Sequence, residues 1–308
     1  MTHDDDQVTR LANLLLTALA PLSWGTTYLV TTELLPPGHP LLAGLLRALP
    51  AGMIALVAGR ALPSGGWWGR SLILGILNIG AFFPLLFLAA ERLPGGVAAA
   101  VAGAQPVILL IAGTVILHDK IRPFTAVAAV AGAGGVALVV LGPAAELDAV
   151  GVLAGIGGVS ATALGMVLTK RWGRPPGVGA VGYAGWQLTA GGLFLLPLTL
   201  WAEGVPPTLD AGAVLGYAWL GGVGGLLAYT LWFRGIQRLP MMAPGLLALL
   251  SPVVATALGV LVAGETFTLM QSGGLALVVV ALVGGQMAAL ARPRSHAETA
   301  PRMVRSRF

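Results

Sequence analysis

Arg47 is the charged side chain best placed to do chemistry in this 308-residue chain, because it lies inside an apolar run long enough to cross a bilayer. A charged group at the bilayer centre costs about 2.5–3.5 kcal/mol or more, so such residues face the protein interior and usually serve a function. A guanidinium there could anchor a carboxylate through two parallel hydrogen bonds, or form a gating pair with Glu33. The plainer alternative is a cation that snorkels outward or binds backbone carbonyls.

Polar and aromatic side chains also lie deep in the apolar runs, where lipid would leave their hydrogen-bonding groups unpaired. Trp24 and Tyr28 are four residues apart on one helix face, as are Asn78 and Phe82, so each pair can present a polar group and a ring to one cavity. Ordinary interhelical packing is the alternative for any single ring. The predicted substrate-contacting residues are Trp24, Tyr28, Asn78, Phe82, Gln105, Trp186, Gln187, Tyr229 and Ser251.

Prolines within the runs mark the predicted moving parts. A proline frees the carbonyl four residues earlier and bends the helix, which suits a segment that lines a cavity or moves. Pro84, Pro106 and Pro252 are the best placed, and with Arg47 they are the predicted gating or hinge residues. A static packing kink is the alternative at each.

Several kinds of chemistry are disfavoured by the residue types. Cysteine is absent and the four histidines are scattered over termini and loops, so we expect no metal site and no cofactor. No Asp or Glu lies in the middle of a run, which disfavours both an intramembrane enzyme and tight proton coupling. The glycine-rich segment 132–137 lies inside a run and follows no strand, so it predicts no nucleotide site.

The elements that must position these residues are membrane-spanning helices. With 56% apolar and only 9% charged residues, and a mean hydropathy of +0.88, the chain predicts an all-α polytopic membrane protein. Each run should be helical, because lipid forces backbone groups to pair within the span. The ten predicted spans begin near Leu11, Pro40, Trp68, Gly95, Pro123, Val150, Val178, Gly212, Met241 and Thr268.

The basic residues predict the orientation of those spans. Fifteen of the 17 Lys and Arg residues lie at alternate junctions and in the termini, and only Arg47 and Arg92 do not. Short cytoplasmic loops collect such cations, so both termini should be cytoplasmic. We interpret residues 1–10 as a cytoplasmic tail without signal-peptide features, and residues 292–308 as a basic cytoplasmic tail near anionic headgroups. The charge of +5 forms no basic stripe, so no nucleic-acid partner is expected.

An internal repeat divides the spans into two sets of five. An offset of 146 superposes Arg92-Leu93-Pro94 on Arg238-Leu239-Pro240, Gln105-Pro106 on Ser251-Pro252, and Asp119 on Glu265. Because five is odd, the second set must enter from the opposite side. We therefore predict two inverted five-helix repeats, residues 11–145 and 146–291, around a central cavity, which is a common transporter architecture.

These features resemble the EamA repeat of the drug/metabolite transporter superfamily. The resemblance rests on Trp24-Gly25-Thr26, Arg47, Ser251-Pro252-Val253 and Gly264-Glu265, and covers nearly the whole chain. The first half departs from it, with His118-Asp119 at the position of Gly264-Glu265.

Within the superfamily the chain is most similar to bacterial inner-membrane exporters of aromatic or hydrophobic amino acids. We therefore predict a secondary transporter that exports small amphiphilic metabolites and alternates access without ATP hydrolysis, as a monomer or weak homodimer. The absence of Asp and Glu from the middle of the runs favours uniport-like transport over tight proton coupling. A drug or nucleotide-sugar carrier is the alternative in the same class, and a channel or membrane receptor is the alternative from another class.

Overall fold

The architecture is that of a computed structural model, which describes residues 3–92, 101, 103–140, 148–204, 208–263 and 268–290. Within these ranges the regular secondary structure is entirely helical and contains no strand, which confirms the all-α class. Segment 264–267, which includes Glu265, and the predicted tail 292–308 lie outside the described residues.

The first half begins with an interrupted helix. Segment α1 starts at His3, inside the predicted N-terminal tail, and gives way to α2 after a turn at Thr26. The helices of this half are α1 (His3–Gly25), α2 (Thr27–Leu34), α3 (Pro40–Gly59), α4 (Trp67–Gly75), the π-helix π1 (Ile76–Gly80), α5 (Phe82–Arg92), α6 (Gln105–Leu117) and α7 (Pro123–Val140).

The second half contains a similar succession of continuous and interrupted helices. They are α8 (Ala149–Trp172), α9 (Ala180–Ala202), α10 (Ala211–Trp219), the π-helix π2 (Leu220–Leu227), α11 (Ala228–Arg238), α12 (Met242–Leu247), α13 (Leu250–Ala263) and α14 (Leu269–Leu290).

Both halves contain helical stretches that are able to span a membrane. Six described stretches are long and apolar enough to cross a bilayer, and three shorter apolar helices accompany them. The six are Gln7–Thr31, Pro40–Gly59, Trp67–Leu86, Ala149–Trp172, Ala211–Arg238 and Leu269–Met287. The chain is therefore a multi-pass membrane protein, while ten crossings and the inversion of the second half stay predictions.

The most extensive helix contacts join the two halves. Helix α3 packs along α9, and α7 packs along α14. The α3–α9 contact is close because Gly52 faces the α9 backbone: a Cβ built at Gly52 would lie 2.5 Å from the Thr189 nitrogen and 2.9 Å from the Leu188 carbonyl carbon. Within the bilayer, where lipid is as apolar as a side chain, such close packing holds helices together.

The two π-helices lie at equivalent places in the repeat. Adding the offset of 146 to Ile76–Gly80 gives 222–226, which falls inside Leu220–Leu227. A π turn closes through a bond five residues back, as in the 2.7 Å bond from the Ala81 nitrogen to the Ile76 oxygen. Such turns commonly occur at functional sites. The two π-helices therefore mark equivalent candidate positions for a site in the two halves.

The predicted hinge prolines all lie just after helix interruptions. Pro84 and Pro252 are the third residues of α5 and α13, and Pro106 occupies the first turn of α6. A proline in a first turn lacks only an N–H that has no helical partner there. Each of these prolines therefore lies in the first turn of a helical segment that follows an interruption, and their role as hinges stays a prediction.

The carboxylate of Glu203 caps the start of a neighbouring helix. Glu203, directly after α9, accepts hydrogen bonds from the backbone nitrogens of Leu41 and Leu42 at 2.7 and 2.9 Å. These are orphan donors in the first turn of α3, where the helix dipole favours a negative charge. The contact joins the end of a second-half helix to the start of a first-half helix.

Glu203→Ala should therefore loosen this end of the bundle. Loss of an acidic cap typically lowers stability by about 0.5–2 kcal/mol, and we expect a decrease of that size in the free energy of unfolding. Thermal unfolding of the detergent-purified protein measures it, with exposed Glu33→Ala as the control of equal charge change. Equal unfolding temperatures for the two variants would contradict the capping role.

Candidate functional site

Arg47 lies where α3 meets the second half, and it is buried with 7% of its surface exposed. Its Nε and Nη2 atoms donate to the carbonyl oxygen of Gly224 at 3.3 and 3.2 Å. Among the described residues no carboxylate forms an ion pair with Arg47, and Glu33, its proposed gating partner, is exposed. The structure thus contains a buried cation whose hydrogen-bond acceptor is a neutral carbonyl.

Three aromatic rings surround the Arg47 guanidinium. Its Cζ lies 5.9 Å from the ring centre of Trp24, 5.7 Å from that of Phe83 and 5.9 Å from that of Tyr229. A cation within about 6 Å of a ring face is attracted by the ring quadrupole, and the attraction grows when water is excluded. Trp232 extends the group, 5.1 Å from Trp24 between ring centres. We call Arg47, Trp24, Phe83, Tyr229 and Trp232 the seam cluster.

The backbone of π2 completes the seam cluster. The Gly224 oxygen accepts from Arg47 and also from the Trp24 indole nitrogen at 3.0 Å. This oxygen therefore binds side chains of both α1 and α3. A Cβ built at Gly224 would lie 3.5 Å from Nε and Nη2, which is ordinary van der Waals contact with the guanidinium.

Helices of both halves contribute to the seam cluster. Trp24 comes from α1, Arg47 from α3 and Phe83 from α5, whereas Tyr229 and Trp232 come from α11. Two of the predicted substrate-contacting residues, Trp24 and Tyr229, are thereby brought to Arg47, with 5.2 Å between their ring centres. In this structure the rings contact one another and Arg47.

Trp186 belongs to a second aromatic group. Its indole nitrogen donates to the Ala61 oxygen at 2.7 Å, just beyond the end of α3. Its ring centre lies 6.0 Å from Trp67 and 6.2 Å from Tyr183. Phe233 joins this group to the seam cluster, because its ring centre lies 6.3 Å from Tyr183 and 5.5 Å from Tyr229. The aromatic side chains thus run continuously from Trp24 to Trp67.

Asn78 and Gln187 bind each other across the two halves. The Asn78 Nδ2 donates to the Gln187 Oε1 at 2.9 Å, and both residues are buried. Asn78 fits because Gly165 of α8 has no side chain, and a Cβ there would collide with the Asn78 Oδ1. Asn78 and Gln187 were predicted to contact a substrate. In this conformation they contact each other, and neither opens onto a cavity.

Removing one member of this pair should cost more than removing both. Asn78→Leu leaves the Gln187 oxygen buried without its donor, so we expect a loss of about 1–3 kcal/mol in the free energy of unfolding. Gln187→Leu should behave similarly, and the double variant should recover part of the loss. Denaturant unfolding of all four proteins in one detergent measures the coupling. Additive losses, within about 0.5 kcal/mol, would show that the two side chains do not interact.

The remaining predicted residues lie at the edges of the site. Gln105 donates to the Thr162 hydroxyl at 3.4 Å, which links α6 to α8. The carbonyl of Ser251 lies against Gly25, where a Cβ would be 2.8 Å away. The Tyr28 side chain lies outside the described residues.

The predicted pairing of Asn78 with Phe82 on one face stays a prediction. What the sequence did not reveal is the π-helix π1, which contains Asn78 and changes the spacing of the side chains that follow it. Consequently Phe83, and not Phe82, contacts Arg47, while Phe82 is half-buried with its ring centre 5.5 Å from Phe83.

Known proteins resemble this chain over most of its length. The model of the EamA-like transporter family matches residues 11–141 and again residues 149–284. The chain belongs to the EamA-like transporter family. Each copy of the family model provides one side of the seam cluster: Trp24, Arg47 and Phe83 fall in the first, and Gly224, Tyr229 and Trp232 in the second.

Curated relatives and a solved structure agree with this membership. The transporter is 44% identical over 264 residues to Protein PecM of Dickeya dadantii (strain 3937). The aligned residues make up 86% of this chain and 89% of PecM. It is 26% identical over 204 residues to the uncharacterized transporter YvbV of Bacillus subtilis (strain 168), covering 64% of this chain and 66% of YvbV. A protein of known crystal structure shares the fold, with a TM-score of 0.76 and 21% sequence identity. The superposition covers 90% of this chain and 97% of that protein.

Proposed function

We propose that this EamA-family transporter is a secondary carrier that exports small amphiphilic metabolites, most of all aromatic or hydrophobic amino acids. The observation that carries the proposal is the buried Arg47 guanidinium, which has aromatic rings around it and no acid paired with it among the described residues. A carboxylate would complement the charge, and an apolar side chain would pack against the rings.

The chemistry of such a complex follows from the seam cluster. A substrate carboxylate could accept two parallel hydrogen bonds from the guanidinium, which is a stronger interaction than the one with a neutral carbonyl. To bind in this way it would displace the Gly224 oxygen from Arg47. Trp24 and Tyr229 would then be the nearest surfaces for an aromatic side chain, through offset or edge-to-face ring contacts.

Alternating access by two inverted repeats is supported by the symmetry of the packing. If the repeat relates each span to the fifth one after it, α3 corresponds to α9 and α7 to α14, and these are the two most extensive contacts. The contact of α5 with α8 corresponds to that of α11 with α1, which also occurs. Such a pattern is expected of a pseudo-two-fold axis through the seam, about which two halves can rock.

The energy source in this proposal is the substrate gradient. The only charged side chain of the seam cluster is an arginine, which holds its proton throughout the physiological range and so makes a poor proton carrier. We therefore propose uniport-like export without ATP hydrolysis, cofactor or catalytic chemistry. Accumulation of substrate driven by a pH gradient, with the membrane voltage clamped at zero, would refute this part.

The proposed setting is a bacterial inner membrane, with both termini cytoplasmic and the chain acting as a monomer or weak homodimer. The concentration of Lys and Arg at alternate junctions supports this orientation. A drug or nucleotide-sugar carrier is the alternative within the family, and a channel or receptor is the alternative outside it.

Counterflow in proteoliposomes tests the proposal. Vesicles containing the purified chain are loaded with unlabelled phenylalanine, tryptophan, leucine, glucose, a nucleotide sugar or a cationic dye, and entry of the labelled compound is followed. We expect saturable counterflow of the aromatic and hydrophobic amino acids. Counterflow of the nucleotide sugar or dye alone would favour the alternative carrier, and flux without saturation would favour a channel.

A further inference from the structure

A second group of unpaired donors lies away from the seam cluster, where α8, α9 and α11 meet at one end. Thr169 is in the last turn of α8, Tyr183 in the first turn of α9, and Gln237 in the last turn of α11. The ends of α8 and α11 are in direct contact, because the Lys170 Nζ donates to the oxygens of Gln237 and Leu239 at 3.2 and 2.7 Å.

Three polar atoms in this group are buried without a hydrogen-bond partner: the Thr169 hydroxyl, the Tyr183 hydroxyl and the Gln237 Nε2. Tyr183 and Thr169 are only 1% and 0% exposed. The Tyr183 hydroxyl interacts with the side chains of Thr169 and Gln237, but none of the three atoms has a partner at full hydrogen-bonding distance and angle. Buried polar groups are nearly always paired, so a set of unpaired ones in one place suggests a missing partner.

Arginines border the same group. Arg234 is three residues before Gln237 and four before Arg238 on α11, so on the helix surface it is a neighbour of both, and Arg174 follows α8. Arg234 and Arg174 are half-buried, and the Arg234 Nη1 is buried without a partner. The charges of Arg238 and Arg174 repel that of Arg234, and Arg174 also acts on Tyr183.

The described residues offer nothing to neutralise these arginines. No described carboxylate forms an ion pair with Arg174, Arg234 or Arg238. Helix capping does not use them in the described contacts either, because Lys170 satisfies the terminal carbonyls of α11 and Arg171 donates to the Ile116 oxygen at 3.1 Å. Every unpaired atom in the group, a hydroxyl, an amide nitrogen or a guanidinium, can donate a hydrogen bond.

We propose that Arg174, Arg234, Thr169, Tyr183 and Gln237 form a binding site for an oxyanion, a phosphate or carboxylate group. Such a group has acceptor oxygens alone and a negative charge, which matches convergent donors and repelling cations. By the charge-based orientation this end of the bundle is cytoplasmic. The site is distinct from the seam cluster and does not depend on which solute is carried.

The oxyanion could be free in solution or part of an anionic lipid. Basic pockets between membrane helices on the cytoplasmic side bind phospholipid headgroups, and a soluble phosphate has the same chemistry. The test therefore uses inorganic phosphate as one probe and phosphatidylglycerol, in nanodiscs of otherwise neutral phosphatidylcholine, as the other.

Thermal unfolding of the full-length chain measures binding of each probe, with chloride at matched ionic strength as the reference. We expect saturable stabilisation of the wild type, and binding weaker by about tenfold or more in Arg234→Gln and in Tyr183→Phe. Tyr183→Phe removes one oxygen and keeps the ring, so it tests the site even if Arg234→Gln does not fold. Arg122→Gln, an exposed loop arginine, is the control of equal charge change.

The outcomes separate the two sources. Stabilisation by phosphate that is lost in the site variants and kept in Arg122→Gln supports the site with a soluble occupant. Stabilisation by phosphatidylglycerol alone, with the same dependence on the variants, supports it with a lipid occupant. Equal responses of all four proteins to both probes, or no response of the wild type to either, would overturn the proposal.

Discussion

Arg47→Gln should lower the transport efficiency for an aromatic amino acid by about 100-fold or more. A charged hydrogen bond to a carboxylate is worth about 1.5–3 kcal/mol, and Arg47 can make two of them. Arg47→Lys should lose about tenfold, because an ammonium keeps the charge but not the planar fork with which Nε and Nη2 now bind the Gly224 oxygen. Initial counterflow rates over a range of substrate concentrations measure both losses.

Stability distinguishes this result from misfolding. No described acid is paired with Arg47, so replacing it with a neutral residue breaks no ion pair and removes a buried charge. We therefore expect Arg47→Gln to unfold at the same temperature as the wild type or a higher one. Arg70→Gln is the control of equal charge change: Arg70 is exposed and lies over rings, 5.1 Å from Trp67 and 5.7 Å from Trp172, outside the seam cluster. Normal kinetics in Arg47→Gln would refute the substrate role.

Gly52→Ala should destabilise the protein by about 1–3 kcal/mol, because the added methyl group has no room. The atoms it would meet are the backbone of Leu188 and Thr189 at 2.9 and 2.5 Å, which cannot turn away as a side chain could. The α3–α9 contact would have to separate, and with it the most extensive packing between the two halves. Chemical unfolding in detergent measures the loss.

The matched control is Gly134→Ala in α7, where a Cβ would meet nothing within 4 Å. Alanine is the better helix former by about 0.8–1.0 kcal/mol, so this variant should be as stable as the wild type or more so. If both substitutions changed stability in the same direction and by the same amount, close packing at Gly52 would not be what holds α3 to α9.

Most of the described helix starts could be predicted from the sequence, because apolarity and length largely decide helices in lipid. The predicted starts at Pro40, Trp68, Pro123, Val150, Val178, Gly212, Met241 and Thr268 fall within two residues of a helix start. The start at Gly95 lies outside the described residues. Trp24, Arg47 and Tyr229 were found from their polarity at depth, and the structure brings them together.

The rest of the site depends on features that side-chain patterns do not reveal. Phe83 was missed because π1 shifts the helical register, and no residue in Ile76–Gly80 signals a π turn. The Gly224 oxygen was missed because every residue has a backbone carbonyl, so the sequence does not show which of them a side chain will bind. Trp186 and Gln187 were both predicted to contact the substrate. Adjacent helical residues point about 100° apart, however, so Trp186 reaches Ala61 and Gln187 reaches Asn78. That last separation could have been predicted from helix geometry.

The double use of the Gly224 oxygen sets a limit on how tightly a solute can be held. The indole of Trp24 and the guanidinium of Arg47 both donate to this one oxygen. In the proposed mechanism an arriving carboxylate gains only the difference between itself and the oxygen it replaces, and on departure the vacated donors return to the backbone. Loading and unloading thus become an exchange of acceptors at Arg47, in which release of the cargo is helped by the return of the guanidinium to the Gly224 oxygen.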